Sequence, residues 1–261
     1  MNTAKRMWEL KQAADDALDL YIYGDVEGDR YDDRTEELIF SQTSAEHFRY
    51  ELEKYPNVQR INIYINSYGG SVFEGTAIYN HLRRHSAYKT VYIDGFACSI
   101  ASVIAMAGDK IIMPKNALMM IHNMWMGVIG NAAELRKAAD DLDVINSAGR
   151  NAYLAKAGDK LTAEQLAEMM DAETWLTAEQ CIELGLADEY AERDADMADA
   201  AKIINKAALN LEQRIAIHKS LAAQLKQLIS ERAPKETPPQ PEEEIKEDKK
   251  PMSIMEMLRG F

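Results

Sequence analysis

Ser99 lies where an apolar strand is predicted to turn into an apolar helix, in DGFACSIASVIAMAGD (residues 94–109). The first turn of a helix presents N–H groups without intrahelical partners, and its positive potential stabilises an oxyanion. A hydroxyl at this junction can therefore attack a carbonyl carbon, although serine is also common there as the helix N-cap. Two neighbours are weaker candidates, because Cys98 is expected to pack inward and Ser102 falls one turn into the helix.

A histidine, His122, ends a second apolar run, ALMMIHNM (residues 117–124). Imidazole titrates near neutral pH, so it can accept a serine proton and return it to a leaving amine. A lone histidine after a strand is more often structural. The interpretation of His122 as a base therefore depends on the other segments.

Two consecutive glycines, Gly69 and Gly70, lie between a strand and a helix in INSYGGSVFEG (residues 65–75). Glycine allows backbone amides to approach a neighbouring group in conformations that other residues resist. An ordinary strand-to-helix turn explains the pair equally simply. A phosphate-binding loop matches poorly, since no Gly-Lys-Ser/Thr follows.

Short strands alternate with helical patterns around these segments, which is typical of an α/β fold. Strands are predicted at residues 20–26, 61–65, 89–93, 110–113 and 117–121. Helices are predicted at residues 71–85, 99–107 and 132–157. Two Thr-Ala-Glu-Gln segments, at 162–165 and 177–180, are capping boxes that start two shorter helices, and Gly185 suits the end of the second.

The composition of the chain changes after residue 190. We predict four segments: 1–17, 18–193 (the core domain), 194–230 and 231–261. Apolar residues between 204 and 229 recur alternately every four and three positions, which predicts either a coiled coil or an amphipathic helix lying on the core. Residues 231–251 hold five of the seven prolines and many charges, which predicts a flexible linker. The apolar end, MSIMEMLRGF, is either a docking peptide or a frayed terminus.

Composition excludes several classes of function. The 261 residues carry a formal charge of −13, which argues against a nucleic-acid-binding surface. Two cysteines are too few for a disulfide framework and favour a reducing, intracellular location. Signal-peptide, membrane-spanning and metal-ligand patterns are not found in the sequence, so neither a membrane nor a metal or other cofactor is expected.

Taken together, the segments resemble the Clp protease (ClpP) family over about residues 18–190. INSYGG resembles the family's glycine-rich strand end, GFACSIAS its nucleophile segment, MMIHN its histidine segment, and ETWLTAEQCIELGLAD (residues 173–188) the stretch with its third catalytic residue. The resemblance implies a ClpP/crotonase-like spiral of ββα units, a Ser–His–Asp triad and rings of subunits that enclose a chamber. It implies that Ser99 is the nucleophile, that His122 is the general base, and that the amides of Gly70 and Ile100 form the oxyanion hole.

The sequence departs from the family pattern at three places. Tyr68 stands where the family typically has proline, and Ala101 replaces a glycine after the nucleophile. The third departure is the acid, because alignment on the family motif puts Glu173 at the usual aspartate position. A carboxylate there holds the imidazole tautomer, so Glu173 is predicted as the acid, with Asp171 as the alternative.

A Clp-like core followed by a helical, charged and proline-rich tail resembles phage prohead proteases with scaffold-like extensions. The leading hypothesis is therefore an ATP-independent serine endopeptidase that processes capsid or scaffold proteins, including its own tail, during phage head maturation. We expect a homo-oligomeric ring in the host cytoplasm or inside the prohead. Three alternatives stay open at this point: a proteolytic chamber fed by an ATP-dependent unfoldase, a crotonase-like acyl-CoA enzyme, and an inactive assembly scaffold.

Overall fold

A sheet rich in parallel strands forms the centre of the chain, described here from a computed structural model for residues 8–14, 16–32 and 34–192. The strands in these ranges are β1 (Trp8–Ala14), β2 (Ala17–Val26), β3 (Arg30–Asp32), β4 (Glu37–Ile39), β5 (Arg60–Gly70), β6 (Tyr88–Cys98), β7 (Lys110–Met113), β8 (Leu118–Ile121), β9 (Thr174–Thr177) and β10 (Glu189–Tyr190). The α-helices are α1 (Ala45–Leu52), α2 (Val72–Arg84), α3 (Ile100–Ala105), α4 (Ala132–Ala157), α5 (Ala163–Asp171) and α6 (Ala178–Glu183).

The neighbours β2, β5, β6 and β7 pair in parallel. At the two edges of this group, β1 pairs antiparallel with β2, and β10 pairs parallel with β7. Strand β6 changes its neighbour along its length, because residues 90–92 pair with β7 and residues 96–98 pair with β8. Strand β9 pairs antiparallel with β8. The predicted α/β fold class is confirmed.

Several boundaries differ from the prediction, and the differences have local causes. The strand at 110–113 and the helix at 132–157 have their predicted bounds, whereas β5 and β6 continue to Gly70 and Cys98 instead of ending at residues 65 and 93. The pairing register of these two strands shifts between Ile65 and Ser67. Such a bulge interrupts the alternation of side chains while the strand continues. The alternating sequence pattern used to predict the strand therefore ends before the strand itself does.

Several elements were not predicted: β1, the β3–β4 hairpin, α1, β9 and β10. Strand β1 has the sequence WELKQAA, which contains no β-branched residue and is rich in helix-favouring ones. Its strand conformation comes from antiparallel pairing with β2. That pairing is a tertiary contact, and the local sequence carries no signal for it.

One face of the sheet is buried beneath helices. Ile61, Ile63 and Ile65 alternate along β5 and are fully buried. Helix α3 lies against β5 and α2, and every residue of α3 is buried. A helix that is apolar on all sides belongs inside a core, which explains why the segment after Ser99 contains only small and aliphatic residues apart from Ser102.

Both predicted capping boxes are present. The side chains of Thr162 and Thr177 accept hydrogen bonds from the backbone N–H of Gln165 and Gln180, whose side chains bond back to the threonine N–H groups. Gly185 follows α6 with a φ of 73°, as the predicted helix end requires. These caps fix the ends of the two short helices that flank β9.

The heptad pattern at 204–229, the linker at 231–251 and the apolar end at 252–261 lie outside the described residues. Within the described ranges, none of the helices has the length and apolar character needed to cross a membrane.

The contact between α2 and α3 at Gly75 gives a testable prediction. A Cβ at Gly75 would lie 2.2 Å from Ile100 Cγ1, which is buried. Alanine normally favours a helix by about 1 kcal/mol over glycine, but overpacking here should lower the free energy of unfolding by about 1–3 kcal/mol in Gly75→Ala. Urea denaturation measures this change.

Gly127→Ala is the control, since a Cβ there would meet no described atom within 4 Å. A Gly75→Ala protein as stable as this control would contradict the close packing of the two helices.

Candidate active site

Ser99 occupies the turn between β6 and α3 in a backbone conformation that non-glycine residues rarely adopt. Its φ is 55° and its ψ is −131°, and such a conformation costs about 1–3 kcal/mol. The Ser99 N–H donates to the Met120 carbonyl at 2.8 Å. The side chain makes no capping hydrogen bond to α3, so Ser99 does not act as a side-chain N-cap and its hydroxyl is available for another partner.

That partner is His122, which directly follows β8. Cys98 lies opposite Met120 in the parallel β6–β8 ladder, so the residues just beyond the two strand ends come close together. His122 Nε2 lies 2.7 Å from Ser99 Oγ. At this distance an imidazole can accept the hydroxyl proton. The structure thus pairs the two residues that the sequence singled out.

The glycine segment borders the same turn. Gly69 and Gly70 have φ angles of 98° and 145°, which side-chain-bearing residues rarely adopt. A Cβ on Gly69 would lie 2.8 Å from Ser99 Cβ and 3.1 Å from the Ile100 nitrogen. A Cβ on Gly70 would lie 2.1 Å from the Val26 carbonyl oxygen. Only glycine fits at both positions, and the Ile100 N–H beside them is the first amide of α3.

A small pocket beside Ser99 and His122 adjoins a larger groove between α2 and α4. The small pocket is lined by Val72, Ser99, Ile100, Val103, His122, Met124, Tyr153 and Met170. Three of these residues, Val72, Val103 and Met124, also line the groove, whose volume is about 800 Å³. The groove walls are mainly aliphatic, so they suit a peptide with apolar side chains.

Neither Cys98 nor Ser102 competes with Ser99 as a nucleophile. Cys98 packs inward as predicted, and burial raises the pKa of its thiol to about 12. The nucleophilic thiolate is therefore scarce near pH 7. Ser102 is also buried, and its Oγ donates to the Ser99 carbonyl at 2.6 Å.

Two buried polar residues of α4 were missed by sequence reasoning. Asn146 Oδ1 accepts a hydrogen bond from the Met124 N–H at 2.7 Å, and the Tyr153 hydroxyl lies 2.7 Å from Ser102 Oγ. Asn146 and Tyr153 are seven residues apart, so they lie on one face of the helix. The signal that the sequence offered for these two residues was the spacing of two polar side chains seven positions apart.

Comparison with known proteins agrees with this geometry. The Clp protease family matches residues 32–194, which is more than half of the chain. The chain belongs to the Clp protease family. It is therefore a serine-type endopeptidase, an enzyme that hydrolyses peptide bonds.

Named relatives show the same similarity. The chain is 29% identical over 203 residues to ATP-dependent Clp protease proteolytic subunit 3 of Streptomyces coelicolor, covering 68% of this chain and 88% of the relative. It is 31% identical over 140 residues to subunit 3 of Rhodococcus jostii, covering 53% and 68% of the two chains. It is 29% identical over 170 residues to the proteolytic subunit of Porphyromonas gingivalis, covering 64% and 72%.

Two carboxylates lie near the histidine end of this Clp-like site. The antiparallel β8–β9 ladder ends with Ile121 opposite Thr174, so His122 and Glu173 are the first residues beyond this end of the ladder on the two strands. Glu173 has a φ of 49° at this point. Asp171 lies two residues earlier, and its Oδ1 accepts a hydrogen bond from Asn123 Nδ2 at 2.5 Å. Both carboxylates are exposed.

Tyr68, the departure from the usual proline, has a packing role. Its ring lies 5.8 Å from that of Phe96 and 6.5 Å from that of Trp175, measured between centroids. These contacts join the ends of β5 and β6 to β9, the strand that follows Glu173. Among the described residues, no group of three or more His, Cys, Asp or Glu side chains could hold a metal ion.

Proposed function

We propose that this Clp-family protease is an ATP-independent serine endopeptidase that processes capsid or scaffold proteins during phage head maturation. The observation that carries the catalytic part of the proposal is the 2.7 Å contact between Ser99 Oγ and His122 Nε2 at a strained turn beside an apolar groove. In this proposal Ser99 is the nucleophile, His122 the general base and Glu173 the acid.

The acylation step uses the proton transfer that this contact permits. Ser99 Oγ attacks the carbonyl carbon of the scissile peptide while His122 Nε2 accepts the hydroxyl proton. The carbonyl oxygen becomes an oxyanion, which accepts hydrogen bonds from the amides of Gly70 and Ile100. The C–N bond then breaks, and the imidazolium donates its proton to the leaving amine.

Deacylation repeats the same transfer with water as the nucleophile. His122 accepts a proton from water, the resulting hydroxide attacks the acyl–Ser99 ester, and the same two amides bind the new oxyanion. Collapse of the intermediate releases the carboxyl product and returns the proton to Ser99. No step consumes ATP, because hydrolysis of the peptide bond is itself favourable.

Glu173 is the proposed acid because it directly precedes β9, His122 directly follows β8, and the two paired strands end with Ile121 opposite Thr174. A carboxylate there would accept the Nδ1–H of the imidazole and stabilise the imidazolium. Asp171 is the weaker candidate, since its carboxylate already accepts a hydrogen bond from Asn123.

The substrate assignment is supported by the part of the chain beyond the family match. The match ends at residue 194, and the following residues include a charged segment with five prolines. Such an extension suits an assembly protein that carries its own protease, with the tail, capsid or scaffold as substrates. The expected sites of action are the host cytoplasm and the prohead interior.

We also propose a homo-oligomeric ring. Met126, Val128 and Ile129 lie between β8 and α4 with their side chains exposed, as does Val144 on α4. Exposed apolar side chains of this kind are typical of a protein interface, and a second copy of the chain is their proposed partner.

A second candidate function is a proteolytic chamber that works with an ATP-dependent unfoldase. It is favoured by the names of the relatives, each of which is a subunit of an ATP-dependent Clp protease. The two functions share the proposed chemistry at Ser99 and differ in how the substrate is delivered.

Removal of the Ser99 hydroxyl should abolish activity without changing the fold. We expect Ser99→Ala to hydrolyse a fluorogenic peptide roughly 10⁴- to 10⁶-fold more slowly than the wild type, with an unchanged circular dichroism spectrum. Ser86→Ala, which changes an exposed serine distant from the site, is the matched control. A Ser99→Ala protein that cleaves at a near-wild-type rate would show that another residue is the nucleophile.

The identity of the acid is tested by two variants, each of which replaces a carboxylate by an amide of similar shape. Glu173→Gln should lower kcat by about 10²- to 10⁴-fold, because the imidazolium loses its carboxylate partner. Asp171→Asn should lower kcat less, since Asn123 already engages that side chain. Steady-state kinetics at pH 8 compares them, and an inactive Asp171→Asn beside a fully active Glu173→Gln would reverse the assignment.

Delivery of the substrate separates the two candidate functions. Without ATP, the full chain should shorten its own tail between residues 231 and 251 and should cleave co-purified capsid or scaffold protein, whereas Ser99→Ala should stay intact. Mass spectrometry identifies the products. Degradation of a folded protein that occurs only with ATP and a Clp unfoldase, with the wild-type tail left intact, would instead establish the chamber function.

A further inference from the structure

A pair of buried hydroxyl groups joins α4 to the turn that carries Ser99. The Tyr153 hydroxyl lies 2.7 Å from Ser102 Oγ, and both residues are at most 2% exposed. Ser102 Oγ lies in turn 2.6 Å from the Ser99 carbonyl oxygen. The three groups therefore form a continuous chain that ends on the backbone of the proposed nucleophile.

The number of available hydrogens decides which group donates in each of these hydrogen bonds. Ser102 has one hydroxyl hydrogen, and the Ser99 carbonyl can only accept, so the 2.6 Å contact uses that hydrogen. Tyr153 must then donate to Ser102 Oγ. Burial raises the pKa of Tyr153 well above its ordinary value, so the phenol stays protonated and remains a donor.

The backbone of Ser99, whose carbonyl accepts the last hydrogen bond of this series, is strained. Ser99 has a positive φ of 55°, and such a conformation persists only where the surroundings hold it firmly. Its N–H is fixed by the Met120 carbonyl at 2.8 Å, and its carbonyl accepts the Ser102 N–H at 3.0 Å as well as the Ser102 hydroxyl. These hydrogen bonds hold both peptide groups that flank the Ser99 side chain.

A second contact from the same face of α4 holds the histidine side of the site. Asn146 lies seven residues before Tyr153 and is 6% exposed. Its Oδ1 accepts the N–H of Met124, two residues after His122, at 2.7 Å. One helix face thus contacts the segments of both members of the Ser99–His122 pair.

We propose that Tyr153 is a positioning residue, which acts through Ser102 to hold Ser99 at the angle that its contact with His122 requires. The proposal rests on the proposed role of Ser99 as nucleophile. A displacement of about 1 Å between reacting groups can lower a rate about 10²-fold. The loss of one positioning hydroxyl is therefore expected to change the chemical step and not the binding of substrate.

Tyr153→Phe tests this role, because it removes the hydroxyl and keeps the ring in the core. We expect kcat for a fluorogenic peptide and the rate of Ser99 labelling by a fluorophosphonate to fall about tenfold, with KM within about twofold of wild type. Tyr55→Phe is the matched control, since Tyr55 is a partly buried tyrosine outside the site; its kcat and labelling rate should not change.

A double variant separates positioning from a general loss of stability. Since Tyr153 acts through Ser102, Tyr153→Phe combined with Ser102→Ala should be no slower than Ser102→Ala alone. Ser99→Ala in the same assay reports whether Ser99 is the labelled nucleophile, so the proposed function is tested separately.

Three results would overturn the positioning role. The first is wild-type kcat and labelling in Tyr153→Phe. The second is a double variant in which the two losses multiply. The third is a loss of kcat that matches the loss of folded protein measured by urea denaturation.

Discussion

The two successive pairings of β6 are the constraint on which the site depends. The first half of β6 pairs with β7, and its last residues pair with β8. Because both pairings are parallel, β6 and β8 end at the same edge of the sheet. Ser99 and His122 follow these two ends, so their contact is a consequence of strand register.

Close packing around this edge explains the unusual residues beside it. Gly69, Gly70 and Gly75 each lie where a Cβ would come within 3 Å of neighbouring atoms, and two of those neighbours belong to Ser99 or Ile100. Helix α3 has to be apolar on every side because it is enclosed by the sheet and by α2. The backbone strain at Ser99 is held in place by this enclosure and by the hydrogen bonds to its flanking peptide groups.

The polar groups of the site divide into two sets with different surroundings. The hydroxyls of Tyr153 and Ser102 are buried, where an unpaired polar group would be costly, and they satisfy one another. Glu173 and Asp171 are exposed at the end of β8, where water screens their charges. The proposed nucleophile is therefore fixed by the core, while the proposed acid lies in the exposed turn that precedes β9.

The sequence by itself determined the α/β class, the helix at 132–157 and the capping boxes, and it singled out Ser99 and His122 as candidates. These follow from local patterns. Residues close together in the sequence are enough to recognise helix periodicity, a helix cap, or a serine between a strand and a helix. Only the tertiary structure decided that β1 is a strand, that β5 and β6 continue past a bulge, and that Tyr153 reaches Ser102 across 51 positions. Each of these depends on pairing or packing between distant segments, for which a local pattern carries no information.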